Sequence, residues 1–212
     1  MRRRTFDLLA SCIGALLTIV LFVAGGLLLW GYSYVTSSVH DQLAAQKIYF
    51  PPASAFKNPQ PGTEITPSMI PSVSQYAGQQ LLTGQQAEAY ANNFINVHLN
   101  EIGGGKTYSE LSAQLQSMQS GTPAYTALSN QVDLIFRGTT LRGLLLEAYG
   151  FGTMGQIALI AAICSFVLGF FMLLLTLFGF LHYRKVDEKT ELLSRSSGSS
   201  PDSSEKREPA LV

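Results

Sequence analysis

Two long apolar runs without an ionisable side chain constrain this chain more than any other feature of the sequence. The first extends over 23 residues from Leu8 to Trp30, and the second over 28 residues from Met154 to Leu181. At the α-helical rise of about 1.5 Å per residue, each run is long enough to cross a hydrocarbon core of about 30 Å. The sequence therefore predicts two transmembrane helices, 8–30 and 154–181.

The first run lies near the N-terminus, so a secretory signal peptide is the alternative interpretation. Its length exceeds the usual apolar core of a signal peptide, and no small-x-small cleavage site follows Trp30 cleanly. An uncleaved signal anchor is therefore favoured.

Lysine and arginine are concentrated at one end of each run. Arg2, Arg3 and Arg4 precede the first, and the second is followed by a basic set: Arg184, Lys185, Lys189 and Arg195. Because positively charged flanks are retained in the cytoplasm, we expect both termini, 1–7 and 182–212, to be cytoplasmic and 31–153 to be extracytoplasmic. The predicted location is the cell membrane, with the lipid bilayer as one partner.

Charge composition argues against two other classes of protein. Charged residues make up 13% of the chain, about half the share usual in soluble domains. The formal net charge is zero, so the chain has no overall positive field that would hold nucleic acid. Nucleic acid is not an expected partner.

The segment after the first run combines a helical pattern with a proline-rich stretch. Val35, Val39 and Leu43 repeat at helical spacing, which predicts that the first helix continues as a stalk towards Pro51. Residues 49–72 hold six of the nine prolines. This density predicts an extended, partly polyproline linker.

Three helices are predicted between this linker and the second run. Thr83 and Gln86 form a capping-box pattern that begins the first helix, and the glycines from Gly103 to Gly105 end it. A shorter helix follows, in which apolar residues recur about every four positions and which ends at Gly121. Thr122 and Pro123 then begin the last helix. The resulting fold class is all-α, with two transmembrane helices, an extracytoplasmic helical bundle and a disordered Ser-rich tail at 182–212.

No motif indicates an enzyme, a cofactor site or a metal site. Gly103-Gly104-Gly105-Lys106-Thr107 resembles part of a phosphate-binding loop, but the leading glycine is replaced by Asn100, so a helix end is favoured. The three histidines are too few and too scattered for a metal site, and the apolar runs lack the charges that a pump or channel requires. We expect no catalytic, cofactor-binding or metal-binding residue.

Two sets of residues are candidates for contacts. Tyr90, Phe94 and His98 share one helical face and are the candidate lining of a ligand groove between helices. Small residues mark an expected contact between the two transmembrane helices, with Gly25 level with three alanines: Ala158, Ala161 and Ala162. Simple exposure of these small residues to lipid is the alternative.

Two stretches carry a resemblance to a known family. They are VHDQLAAQKIYFPP at 39–52 and LIFRGTTLRGLLLEAYGF at 134–151. Together with the flanking apolar runs they resemble an uncharacterised actinobacterial family of two-pass membrane proteins. Some members are labelled aromatic ring-opening dioxygenases, which implies a metal site, but the histidines of this chain give that label no support.

The sequence leads to two functional hypotheses. The first is a non-enzymatic accessory or scaffold protein of the cell envelope, whose extracytoplasmic helical domain docks a membrane-protein or cell-wall partner. The second is an extracytoplasmic ligand sensor or binding protein that uses the groove at Tyr90, Phe94 and His98.

Overall fold

The computed structural model describes residues 3–59 and 64–185. Over these residues the fold is all-α, with two long apolar helices flanking a helical middle, as the sequence predicts. The helices are α1 (Arg3–Gln46), α2 (Ile70–Val73), α3 (Gly84–Tyr90), α4 (Asn96–Gly103), α5 (Tyr108–Gln116) and α6 (Pro123–Lys185). The predicted disordered tail lies outside the described residues, apart from the last turn of α6.

The chain divides into two compact units, which are described separately. The first comprises Met1–Leu21 and Val167–Val212, and the second comprises Phe22–Phe166. The second unit contains all of the short helices.

Helix α1 continues well beyond its apolar run, to Gln46. It ends before the prolines because Lys47 has a φ of 53°, the left-handed conformation that closes many helices. The predicted helical extension beyond Trp30 is therefore confirmed. Val39 and Leu43 lie on its buried face.

The proline-rich stretch differs from the prediction of an extended linker. Beyond the undescribed residues 60–63 it forms successive short turns: the 3-10 turn Pro67–Met69, helix α2 and the 3-10 turn Ser74–Tyr76. Pro67 and Pro71 both lie in the first turn of a helical element, where a missing N–H costs nothing. Pro67 and Pro71 therefore start short helical turns, and the prediction of an extended segment was wrong for this part of 49–72. Residues 50–52 have no helix, and Tyr49 pairs with Gln80 in an isolated bridge.

Helices α3 and α4 are joined by the π-helical segment Ala91–Ile95. Thr83 and Gln86 form the predicted capping box at the start of α3, with both reciprocal bonds present. At the other end Gly104 has a φ of 59° and Gly105 N–H donates to Asn100 O over 2.9 Å. Both predicted ends of this helical segment are confirmed.

The starts of α5 and α6 follow from local capping. Thr107 and Glu110 form a second capping box at α5. Thr122 Oγ1 accepts from Tyr125 N–H over 3.1 Å, and Pro123 is the first residue of α6. The predicted start of the last helix is confirmed.

The second unit contains two clusters of buried apolar residues. The larger joins α1, α3, the proline-rich stretch and α6, with Met69, Val73 and Leu81 fully buried. The smaller joins α4, α5 and α6 around Leu111, Leu128 and Ile135. Burial of this many aliphatic side chains, at about 25 cal/mol per Å² of apolar surface, holds the short helices against α1 and α6.

Candidate functional site

The aromatic residues of the predicted groove pack against one another with tilted rings. The ring centroids of Tyr90 and Phe94 lie 4.7 Å apart, as do those of Phe94 and His98. Phe50 meets Tyr90 edge-on, with centroids 5.3 Å apart. The structure thus brings Tyr90, Phe94 and His98 together as an aromatic ladder, packed against the larger core cluster. Ligand binding there stays a prediction.

The aromatic ladder carries two polar groups, the imidazole of His98 and the hydroxyl of Tyr90. Nδ1 of His98 lies 2.9 Å from the carbonyl oxygen of Phe94, one turn earlier. Burial raises the pKa of the Tyr90 hydroxyl, and the negative charge of Glu64 raises it further. Tyr90 is therefore neutral throughout the physiological range.

A groove runs between α1 and α6 in the second unit, with a volume of about 300 Å³. Val39, Leu43 and Ala148 are apolar residues of its lining. Ser38, Gln42 and Glu147 add polar groups, and Tyr34, Val35, Gln46, Leu144 and Phe151 complete it. We call it the α1–α6 groove. It combines an apolar surface with one carboxylate.

A second cavity of about 280 Å³ lies between α4, the start of α5 and α6. Its lining carries two cations, Lys106 and Arg142, and no carboxylate. The other lining residues are mostly polar: Asn96, Leu99, Asn100, Gly105, Thr107, Tyr108, Ser109, Ile135 and Thr139. We call it the cationic cavity.

The two arginines of α6 have different environments. Arg137 is exposed and pairs with Asp133 one turn earlier, N to O 2.8 Å. Arg142 is half-buried, and its guanidinium donates to Asn92 Oδ1 over 2.9 Å. Its Nε is buried without a hydrogen-bond partner. Arg142 thus keeps one buried donor, Nε, that is not satisfied by the protein.

Polar groups also meet in the first unit, between the beginning of α1 and the end of α6. Asp7, Ser11, Thr176 and His182 line a cleft of about 250 Å³. His182 Nε2 lies 4.0 Å from Asp7 Oδ2, and Thr176 Oγ1 is buried without a partner. We call it the inner polar cleft. It lies at the edge of the apolar runs, because Asp7 and His182 flank them.

The helix-contact residues are partly where the sequence places them. Gly25 and Ala162 are buried. However, Gly25 faces the ring of Phe166, 3.0 Å from the position of a Cβ added there, and Phe166 lies one turn beyond Ala162. Ala158 and Ala161 are half-buried. The ring of Phe166 thus fills the space beside Gly25, and the contact of Gly25 with the three alanines stays a prediction.

The histidines do not converge. His40 Nδ1 lies 3.2 Å from Asp41 Oδ1 in an exposed pair, whereas His98 belongs to the aromatic ladder. Within residues 3–59 and 64–185, no three His, Cys, Asp or Glu side chains are grouped so as to hold a metal ion.

Sequence reasoning missed the cationic cavity and the α1–α6 groove. The Thr107-x-x-Glu110 capping box was a signal for the start of α5, and it fixes one wall of the cationic cavity. Nothing local connects Arg142 with Asn92, which lie on different helices.

Comparisons of this chain with protein-family models, with curated proteins and with solved structures found no match. The resemblance of residues 39–52 and 134–151 to the actinobacterial two-pass family therefore stays a prediction.

Proposed function

We propose that this protein is a non-enzymatic accessory or scaffold protein of the cell envelope, anchored in the cell membrane by α1 and α6. Its extracytoplasmic helical domain docks a partner membrane protein. The α1–α6 groove is the observation that carries the proposal, because it offers apolar surface immediately beyond the apolar run of α1.

The exposure of the two long helices supports the membrane anchor. Only 17% of the most apolar window of each helix is buried. Leucines such as Leu16, Leu27 and Leu175 are more than 60% exposed. Water is a poor environment for so much apolar surface, whereas lipid is a suitable one. The basic residues at the two chain ends favour a topology with both termini in the cytoplasm.

The shape and chemistry of the α1–α6 groove favour a helical partner. The groove lies between two helices and presents apolar side chains, which is the surface that an amphipathic helix fills. Exposed Tyr34 and Phe151 continue the apolar surface towards the membrane. Glu147 adds a negative charge, so we expect the partner to be the juxtamembrane helix of another membrane protein, with a basic side chain opposite Glu147.

Site-specific photo-crosslinking in intact membranes tests this proposal. A benzophenone amino acid at Leu144, which lines the groove, should give one discrete product that contains the juxtamembrane segment of another membrane-spanning chain. The same probe at Leu134, exposed on the same helix but outside the groove lining, is the matched control. Glu147→Lys should reduce the product at Leu144, and Glu101→Lys, at an exposed site on α4, should not.

Several outcomes would count against docking of this kind. A crosslinked product with lipid, with a cell-wall component or with a second copy of this chain would contradict the proposed membrane-protein partner. It would identify that molecule as the occupant of the groove. Equal products from Leu144 and Leu134 would show that the groove has no special role.

A further inference from the structure

We propose that the cationic cavity is a binding site for a phosphate monoester group carried by a small ligand. The site is independent of the α1–α6 groove, which has a different lining. The proposal is based on the charge of the cavity, on the fixed position of Arg142 and on the polar groups around it.

The charge balance of the cavity favours an anion. Arg142 and Lys106 line it and no carboxylate does. In the part of the chain that the structure describes, Arg142 forms no ion pair with a carboxylate. Lys106 Nζ donates to the neutral amide of Gln114 over 2.9 Å. After the hydrogen bonds from Thr107, the charge of Lys106 also lowers the pKa of the nearby carboxyl of Glu110, but Glu110 does not line the cavity. The lining itself therefore carries a net positive charge, which matches a phosphate monoester with its charge near −2 at neutral pH.

Arg142 is held in place for such a contact. Its hydrogen bond to Asn92 Oδ1 fixes the guanidinium between α6 and the π-helical segment. A guanidinium that is already oriented loses little conformational entropy when an oxyanion binds, and its forked donors suit phosphate oxygens. The remaining buried Nε, which has no partner, is a cost that an adjacent anion would offset electrostatically.

The rest of the lining supplies neutral donors and room for an organic group. Asn96, Asn100, Ser109 and Thr139 bring amide and hydroxyl groups to the cavity. Glu110, outside the lining, accepts hydrogen bonds from the N–H of Thr107 over 2.7 Å and from the Thr107 hydroxyl over 2.8 Å. These bonds hold its carboxylate at the start of α5. The cavity differs from a phosphate-binding loop, because one of its two cations, Arg142, is on α6 and not beside the glycine turn.

Calorimetric titration of the full chain in nanodiscs of phosphatidylcholine tests the site. The soluble probe is glycerol 3-phosphate, with glycerol as the control that lacks the phosphate. We expect saturable binding of glycerol 3-phosphate only. Arg142→Gln should weaken it at least about tenfold, since a hydrogen bond to a charged group contributes about 1.5–3 kcal/mol.

Two further variants keep the test decisive if Arg142→Gln fails to fold. Lys106→Gln removes an exposed cation from the cavity and should weaken binding about two- to fivefold. Arg137→Gln removes an exposed cation of the same helix outside the cavity and should leave binding unchanged. Equal losses in Lys106→Gln and Arg137→Gln would indicate nonspecific attraction and overturn the proposal.

A second arm identifies the source of the phosphate. Nanodiscs that contain phosphatidic acid present the same monoester on a lipid, and the melting temperature of the protein is measured in them. Stabilisation by phosphatidic acid that depends on Arg142 and Lys106, without binding of glycerol 3-phosphate, would assign the site to a lipid headgroup. No effect of either probe would overturn the proposal.

Discussion

Individual glycines differ in how much space the fold leaves beside them. A Cβ added at Gly84 would lie 3.2 Å from the backbone oxygen of Ala148 and 3.2 Å from Cα of Tyr149. Backbone atoms cannot move aside as a side chain can, so the start of α3 packs directly on α6. At Gly143, by contrast, nothing lies within 4 Å of an added Cβ.

Alanine substitution distinguishes these two glycines. Gly84→Ala should lower the free energy of unfolding by about 1–3 kcal/mol because it overpacks a contact with backbone. Gly143→Ala should raise it by about 0.5–1 kcal/mol because alanine favours the helix. Steric trapping in bicelles measures both values. Equal effects at the two positions would contradict the contact between α3 and α6.

Glu110 gives one capping box a pH dependence. Hydrogen bonds from the N–H and the hydroxyl of Thr107 lower the pKa of this carboxyl, which is fully exposed. Folding therefore favours the ionised form of the Glu110 carboxyl. Its contribution to stability is complete above the ordinary glutamate pKa of 4.5 and is lost as the pH falls through the lowered value.

Glu110→Gln removes this titration. At neutral pH the wild type should melt at a higher temperature than the variant, and the difference should disappear in acid below the lowered pKa. Thr83→Ala is the matched control, because its box closes with the neutral Gln86 and its effect should not follow this profile. A constant difference between wild type and Glu110→Gln at all pH values would contradict the role of Glu110.

At the scale of the element, two adjacent glycines of α1 have opposite surroundings. Gly25 is buried against the ring of Phe166, whereas Gly26 has nothing within 4 Å of an added Cβ. Phe22 also contacts this ring, with centroids 6.1 Å apart. One side of α1 thus packs against α6 at this level, and the neighbouring side is open to lipid in the proposed topology.

Leucine substitution tests which side of α1 packs on α6. Gly25→Leu should destabilise the protein by about 1–3 kcal/mol, because the ring of Phe166 occupies the required space. Gly26→Leu should cause no loss, since leucine is favourable against lipid. Thermal unfolding in detergent compares the two variants. A larger loss for Gly26→Leu would show that α1 is rotated relative to the structure.

At the scale of the whole molecule, topology decides which surfaces are available to partners. The basic residues at both chain ends predict cytoplasmic termini, and the proposed docking and binding sites then face outward. The function proposed above depends on this orientation.

Single-cysteine variants test the orientation in intact cells. After Cys12 and Cys164 are replaced by serine, a membrane-impermeant maleimide should label a cysteine at Gln119 and should not label one at Ser199. The reason is the proposed topology, which has 31–153 outside and the chain ends inside. Labelling at 199 alone would invert the topology, and labelling at both positions would mean that one apolar run does not span.

Features that depend on neighbouring residues could be predicted from the amino-acid sequence. Hydropathy and length predicted the two long apolar helices, and the pair Thr83 and Gln86 predicted the start of α3. Gly104 ended its helix as expected because glycine adopts a positive φ without strain. These features involve interactions within about four residues, so local pattern is sufficient to predict them.

Only the tertiary structure decided which distant residues meet. The register of Gly25 against Phe166 depends on how a ring fills a gap between two helices, which small-residue spacing does not specify. Exposed Pro67 and Pro71 begin helical turns whose Met69 and Val73 are buried in the core. Arg142 lines the cationic cavity, and its guanidinium donates to Asn92, 50 residues away in the chain. Such contacts depend on the packing of whole helices, and no local pattern encodes them.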